Sequence, residues 1–100
     1  MCKKDLYNHV LEVVINETEI GGGILQDPRN KTLEVVDARH LLVYFLRRSA
    51  GYNISYIAQL LNMTNQSINY ILRHFDNRRI QGGKNFENTF QRIRKLLENN

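Results

Sequence analysis

Cysteine is almost missing from this chain: there is one, Cys2, in 100 residues. It has no partner within the chain, so no internal disulfide can form, and the composition fits a reducing cytoplasm. Long apolar runs are missing too. The longest, Leu41-Leu42-Val43-Tyr44-Phe45-Leu46, is six residues, far below the roughly 20 that a membrane-spanning helix needs. No membrane segment is therefore expected. The basic start Met1-Cys2-Lys3-Lys4 is not followed by an apolar stretch, which argues against a secretory signal. The phosphate-loop signature G-x-x-x-x-G-K-[ST] is absent, and Gly21-Gly22-Gly23 runs into Ile-Leu-Gln, so it reads as a flexible turn. His9, His40 and His74 stand far apart and have no cysteine partners, a spacing that does not suit a metal site. We expect no cofactor, no metal, no small-molecule substrate and no enzymatic activity.

What is present is one domain's worth of chain, residues 1–100, with 42% apolar residues to build a core. The net charge is +4, and its placement says more than its size. Residues 1–72 hold seven Lys/Arg and seven Asp/Glu, whereas residues 73–100 hold seven Lys/Arg and three acids. All of the excess positive charge thus follows position 72. Such a run is either a solvated basic tail or part of an electrostatic footprint for a polyanion.

The apolar pattern is helical throughout, so the fold class expected is all-α, a compact bundle of five to six helices. From Lys3 to about Asn16, Leu6, Val10, Val13 and Val14 share a face, with the β-branched run Val13-Val14-Ile15 leaving a strand as the alternative. Glu17 to Lys31 carries Gly21-Gly22-Gly23 and Asp27-Pro28 and reads as a connection, with room for one helical turn near Glu19. Thr32 to Ser49 is a long helix with Val35, Ala38, Leu41, Leu42, Phe45, Leu46 and Ser49 inward, Thr32 as its cap and Gly51 as its stop. Glu34 and Asp37 favour its N-terminal end through the helix dipole. Ile54 to Leu61 is a short helix. Thr64 or Asn65 begins another, to about Asp76, with Ile68, Ile71, Leu72 and Phe75 inward. Asn77 to Lys84 reads as a loop around Gly82-Gly83, and Asn85 as the cap of a last helix that turns Phe86, Phe90, Ile93 and Leu97 inward.

The break between the two helices of residues 54–76 carries the functional signal. A helix-turn-helix needs a small residue where the helices cross, a residue that tolerates a left-handed backbone in the turn, and apolar residues to lock the steep angle. Ala58 is the small residue, and Asn62, four positions on, stands where glycine or asparagine belongs. Ile57, Leu61, Met63, Ile68 and Ile71 supply the lock. The second helix then presents Asn65, Gln66, Asn69, Tyr70 and Arg73 outward. Asn and Gln pair with adenine edges and Arg with guanine. Thr64 and Ser67 put short hydroxyls at the helix N-terminus, where phosphate is favoured.

With these residues in place, the chain from about Leu6 to Leu97 resembles the C-terminal DNA-binding domain of the bacterial replication initiator DnaA, a Trp-repressor-like helical fold. Asp37 to Arg47 is similar to that family's long helix, which typically reads A-R-x-x-A-M-Y-L. Ile54 to Leu61 resembles the first helix of its helix-turn-helix, and Asn85 to Leu97 its closing amphipathic helix. The stretch holding Arg29 and Lys31 lies where the family has a basic loop that reaches the minor groove. One departure stands out. The family's G-G-R-D-H-T-T after the first helix is replaced by Asn62-Met63-Thr64-Asn65-Gln66-Ser67, one residue shorter and without the Asp-His pair. The resemblance implies the fold and the docking mode but no target sequence.

Two functions follow as expectations. The first is sequence-specific binding of double-stranded DNA, as a regulator or a replication-initiator-like accessory protein. Its contacts are Thr64, Asn65, Gln66, Ser67, Asn69, Tyr70 and Arg73, with Arg29, Lys31, Arg78 and Arg79 around them. The second is a protein interaction module that has kept the fold without DNA. The placement of Arg47, Arg48, Arg73, Arg78 and Arg79 relative to Asn69 separates the two: one shared face favours DNA, and scatter favours the module.

Overall fold

The computed structural model describes residues 3–27 and 29–98, and Cys2 and Pro28 lie outside them. Six helices follow one another: α1 Lys3–Thr18, α2 Gly22–Leu25, α3 Leu33–Arg48, α4 Ile54–Leu61, α5 Asn65–Gln81 and α6 Gly83–Glu98. No strand occurs among the described residues, so the expected all-α class holds. None of these helices is long and apolar enough to cross a membrane.

Helix α3 is the centre. It packs against all five other helices, which is why burial spreads around it rather than along one stripe. The expected inward residues Val35, Ala38, Leu41, Leu42, Phe45 and Leu46 are buried, and so are Arg39 and Val43 on its other side. Ser49, expected inward, caps the helix from an exposed position. On the side facing α5 and α6, Tyr44 stacks on Phe75 at 4.2 Å and meets Phe90 edge-on at 5.4 Å. Phe45 also stacks on Phe90, at 5.4 Å. One contiguous apolar core joins these rings to Val10, Val14 and Leu25.

The structure departs from the sequence reading at four helix ends. Helix α1 runs two residues further, to Thr18, through the β-branched run. It stops at Glu19, whose φ of 60° is left-handed and whose N–H donates to the Ile15 carbonyl at 2.8 Å. The short helical turn forms not at Glu19 but across the glycines, at Gly22–Leu25, because Leu25 is drawn fully into the core. Thr32 occupies the cap position of α3 without a capping bond. Its hydroxyl donates instead to Asn30 Oδ1 at 3.0 Å. The expected loop 77–84 is nearly absent: α5 continues to Gln81, and α6 starts at Gly83, so Asn85 lies inside α6 and is no cap. Nothing in Asn77-Arg78-Arg79-Ile80-Gln81 breaks a helix, and the corner takes only Gly82, between the helices, and Gly83, which is left-handed at φ 74°. A Cβ at Gly82 would sit 2.7 Å from Phe86 Cβ and 2.9 Å from the Arg78 carbonyl oxygen. The absence of a side chain lets the two helices abut.

Arg39 ties the α2–α3 connection down. The residue is 7% exposed. Its guanidinium donates to the carbonyls of Leu25 at 3.2 Å, Asp27 at 2.6 Å and Asn30 at 3.2 Å. Buried carbonyls need donors, and this one side chain supplies three. Burial pushes its pKa down, with the Asp27 carboxylate opposing.

Candidate nucleic-acid interface

Helix α4 begins at Asn53, whose side-chain oxygen accepts from the Tyr56 N–H at 2.8 Å. It ends on Asn62, which is left-handed at φ 55° and ψ 46°. The Met63 N–H reaches back to the Ala58 carbonyl at 2.9 Å, and the Asn62 N–H to Gln59 at 3.4 Å. These two bonds form the double closure typical of a left-handed helix end. The expected turn is therefore present at the expected residue. Ile57, Ala58, Leu61, Ile68 and Ile71 are buried around it, with Met63 half-buried. This packing fixes the direction in which α5 leaves.

Thr64 caps α5. Its hydroxyl oxygen accepts from the Ser67 N–H at 3.1 Å, and its O–H donates to Ser67 Oγ at 3.0 Å. The two hydroxyls expected to meet phosphate thus first hold the helix end. The amides of Asn65 and Gln66 remain at the first turn, where no intrahelical carbonyl is available. Asn65 is exposed, and its side-chain amide donates to Ser55 Oγ at 3.1 Å, bracing α5 against the start of α4. Gln66, Tyr70 and Arg73 are exposed as expected. Asn69 is not fully outward. It is half-buried, because its position turns toward the side of α5 that carries Leu72.

Lys31 comes to the same place from 33 residues earlier. Lys31, Val36, Arg39, Asn62, Met63, Thr64 and Ser67 line an open cleft of about 460 Å³ between the start of α3 and the turn. The cleft has an exposed cation, Lys31, with the Arg39 charge buried behind it, and a helix N-terminus, a combination suited to an anion. Arg29 is not part of this lining. It is fully exposed beside Asp27, with an Nε–Oδ1 distance of 3.1 Å that holds the Asp27 carboxyl below its usual range.

Arg78 and Arg79, expected in a phosphate-contacting loop, lie instead on a helix with their charges engaged. Arg78 Nε donates to Asp37 Oδ1 at 2.8 Å, joining α5 to α3. Arg79 grips Glu87 through Nε at 2.9 Å and Nη2 at 2.8 Å, and its guanidinium lies 4.3 Å from the centre of the Phe90 ring. The Arg79 bonds, with Gln91 adding a second donor, lower the Glu87 pKa to about 2. These arginines fasten α5 to its neighbours.

Arg47 and Arg48 end up beside α5. They are exposed at the end of α3 and line a recess with Leu72 of α5, where Arg47 also donates to the Tyr52 carbonyl at 3.2 Å. Exposed cations therefore stand near α5, Lys31 at its N-terminus, Arg47 and Arg48 beside Leu72 and Arg73 on its outer face, while Arg78 and Arg79 are tied to α3 and α6, so the five arginines do not share one face. His40 belongs to the interior. Its Nδ1 is buried with no hydrogen-bond partner among the described residues. Burial, followed by the Arg78 charge, pushes its pKa below the ordinary imidazole value.

No family model matches the chain, and neither a curated protein nor a solved structure matches it.

Proposed function

We propose that this protein binds double-stranded DNA sequence-specifically, with α4 and α5 as a helix-turn-helix and the exposed face of α5 in the major groove. The resemblance to the DnaA C-terminal domain adds a role as regulator or initiator-like accessory protein. The observation that carries the reading is the left-handed Asn62 turn, which sets α5 with Gln66, Tyr70 and Arg73 outward. An exposed face with amide and guanidinium groups can address base edges. The exposed cations near α5 and the cleft at its start suit phosphate contacts.

Selection from random duplexes, followed by titration of the selected and a scrambled duplex, tests this. Wild type binds the selected duplex more tightly. Gln66→Ala costs about 1–3 kcal/mol on the selected duplex and much less on the scrambled one. Affinity falls with salt by about one log unit per log unit of salt for each phosphate contact. Lys31→Ala and Arg48→Ala flatten that slope, and an Arg78→Ala variant that still folds leaves it unchanged. Failure of wild type to bind any duplex at low salt refutes DNA binding and favours the interaction module.

A further inference from the structure

On the outer side of α5, Gln66, Tyr70 and His74 follow one another at four-residue spacing and form a single ridge. Tyr70 is 59% exposed, a large ring left in water. Its ring has a neighbour: the His74 imidazole lies 4.2 Å away, centre to centre, tilted by 37°. Helical side chains lean toward the helix N-terminus. The Tyr70 ring therefore leans over the turn that carries Gln66, and His74 stands behind it. His74 is itself exposed.

The edges of base pairs in the major groove are mostly polar, and the bulkiest apolar group among them is the C5-methyl of thymine. An exposed aromatic ring on a reading helix finds its largest apolar contact there. We infer that Tyr70 selects thymine by contact with its C5-methyl, and that His74 is a positioning residue that holds the Tyr70 ring in the contacting rotamer. The inference rests on the DNA-binding reading and deepens it: it names an apolar requirement at one base of the target. Prior contact with His74 reduces the rotamer freedom that Tyr70 would lose on binding.

The test uses the selected duplex with each thymine replaced in turn by deoxyuridine, which deletes the methyl and nothing else. Titrations compare wild type with Tyr70→Ala, His74→Ala and His74→Phe. At one thymine, wild type loses about fourfold in affinity, the worth of one buried methyl. Tyr70→Ala binds the thymine and uracil duplexes equally. His74→Ala narrows the ratio, and His74→Phe, which keeps a ring behind Tyr70, restores it. Thermal melts match wild type for all three, since both positions are exposed. The inference is overturned if no thymine shows the effect, if the selected site contains no thymine, or if Tyr70→Ala keeps the wild-type ratio. In each case, preference for selected over scrambled duplex persists and the proposed function stands. An unchanged ratio in His74→Ala overturns the positioning role. If wild type shows no preference between the duplexes, both readings fall together.

Discussion

Asn62 offers a clean measurement of what the turn costs. Its backbone is left-handed, at φ 55° and ψ 46°. The side chain is exposed and makes no hydrogen bond among the described residues, so replacing it removes neither burial nor a partner. The two closing bonds, from the Asn62 and Met63 amides, are backbone bonds and survive substitution. What changes is strain. A left-handed backbone costs an ordinary L-residue about 1–2 kcal/mol, and asparagine tolerates it better. For a β-branched residue the cost rises, so Asn62→Val should destabilise by about 2 kcal/mol. In a domain of this size each kcal/mol moves the melting point by about 4–8 °C, so the expected drop is about 8–16 °C. Asn62→Gly removes the strain and gives a melting point equal to wild type or higher. Reversible thermal unfolding followed by circular dichroism reads both. If Asn62→Val melts with wild type, the left-handed turn is not what sets α5, and the reasoning fails.

Two further expectations concern the corner and the ion pairs. Gly82→Ala places a methyl against Phe86 and the Arg78 carbonyl and should cost about 1–3 kcal/mol by overpacking. Gly21→Ala meets nothing within 4 Å and serves as its control in the same melts. The Glu87 carboxyl, held down to about 2 from 4.5, contributes stability that is present above pH 4.5 and is lost as the pH falls toward 2. Denaturant titrations from about pH 6 to about pH 2 should therefore show a shallower acid loss for Glu87→Gln than for wild type.

Local features were legible in the sequence, and long-range ones were not. The apolar spacing located α1, α3, α4 and α6 closely because each helix declares its inward face by its own period. The turn at Asn62 was legible for the same reason, since residues 57–71 contain all of its requirements. Arg78 and Arg79 read as loop residues, not helical ones, because their partners lie outside any local window. Asp37 is 41 residues from Arg78, and Glu87 stands across a corner that looked like a loop. Arg39 is not among the residues that period alone turns inward, and its burial depends on the carbonyls of Leu25, Asp27 and Asn30. Gly21-Gly22-Gly23 looked like a breaker, yet two of its residues are helical because Leu25 needs the core. In the candidate interface, Gln66, Tyr70 and Arg73 were located by period alone. The half-burial of Asn69 and the arrival of Lys31 beside Thr64 depend on tertiary packing.

The two ends of the bundle differ in how much chain they must close. The helix-turn-helix is bounded within residues 54–81 and closes over short distances. Helix α6 packs against α1, and its Arg92 meets Glu17 at 2.8 Å across 75 residues of sequence. Loop-closure entropy weighs on that second contact by about 2 kcal/mol more than on a ten-residue closure within the turn, and the α1–α6 seam carries the longest sequence separations in the molecule. A chain that stops before α6 still contains every residue of the turn and of the outer face of α5. It lacks Phe90, however, and with it the ring that Tyr44, Phe45 and Phe75 all touch. The surface that faces outward is encoded locally, and the rigidity with which it is presented is supplied by the helix furthest along the chain.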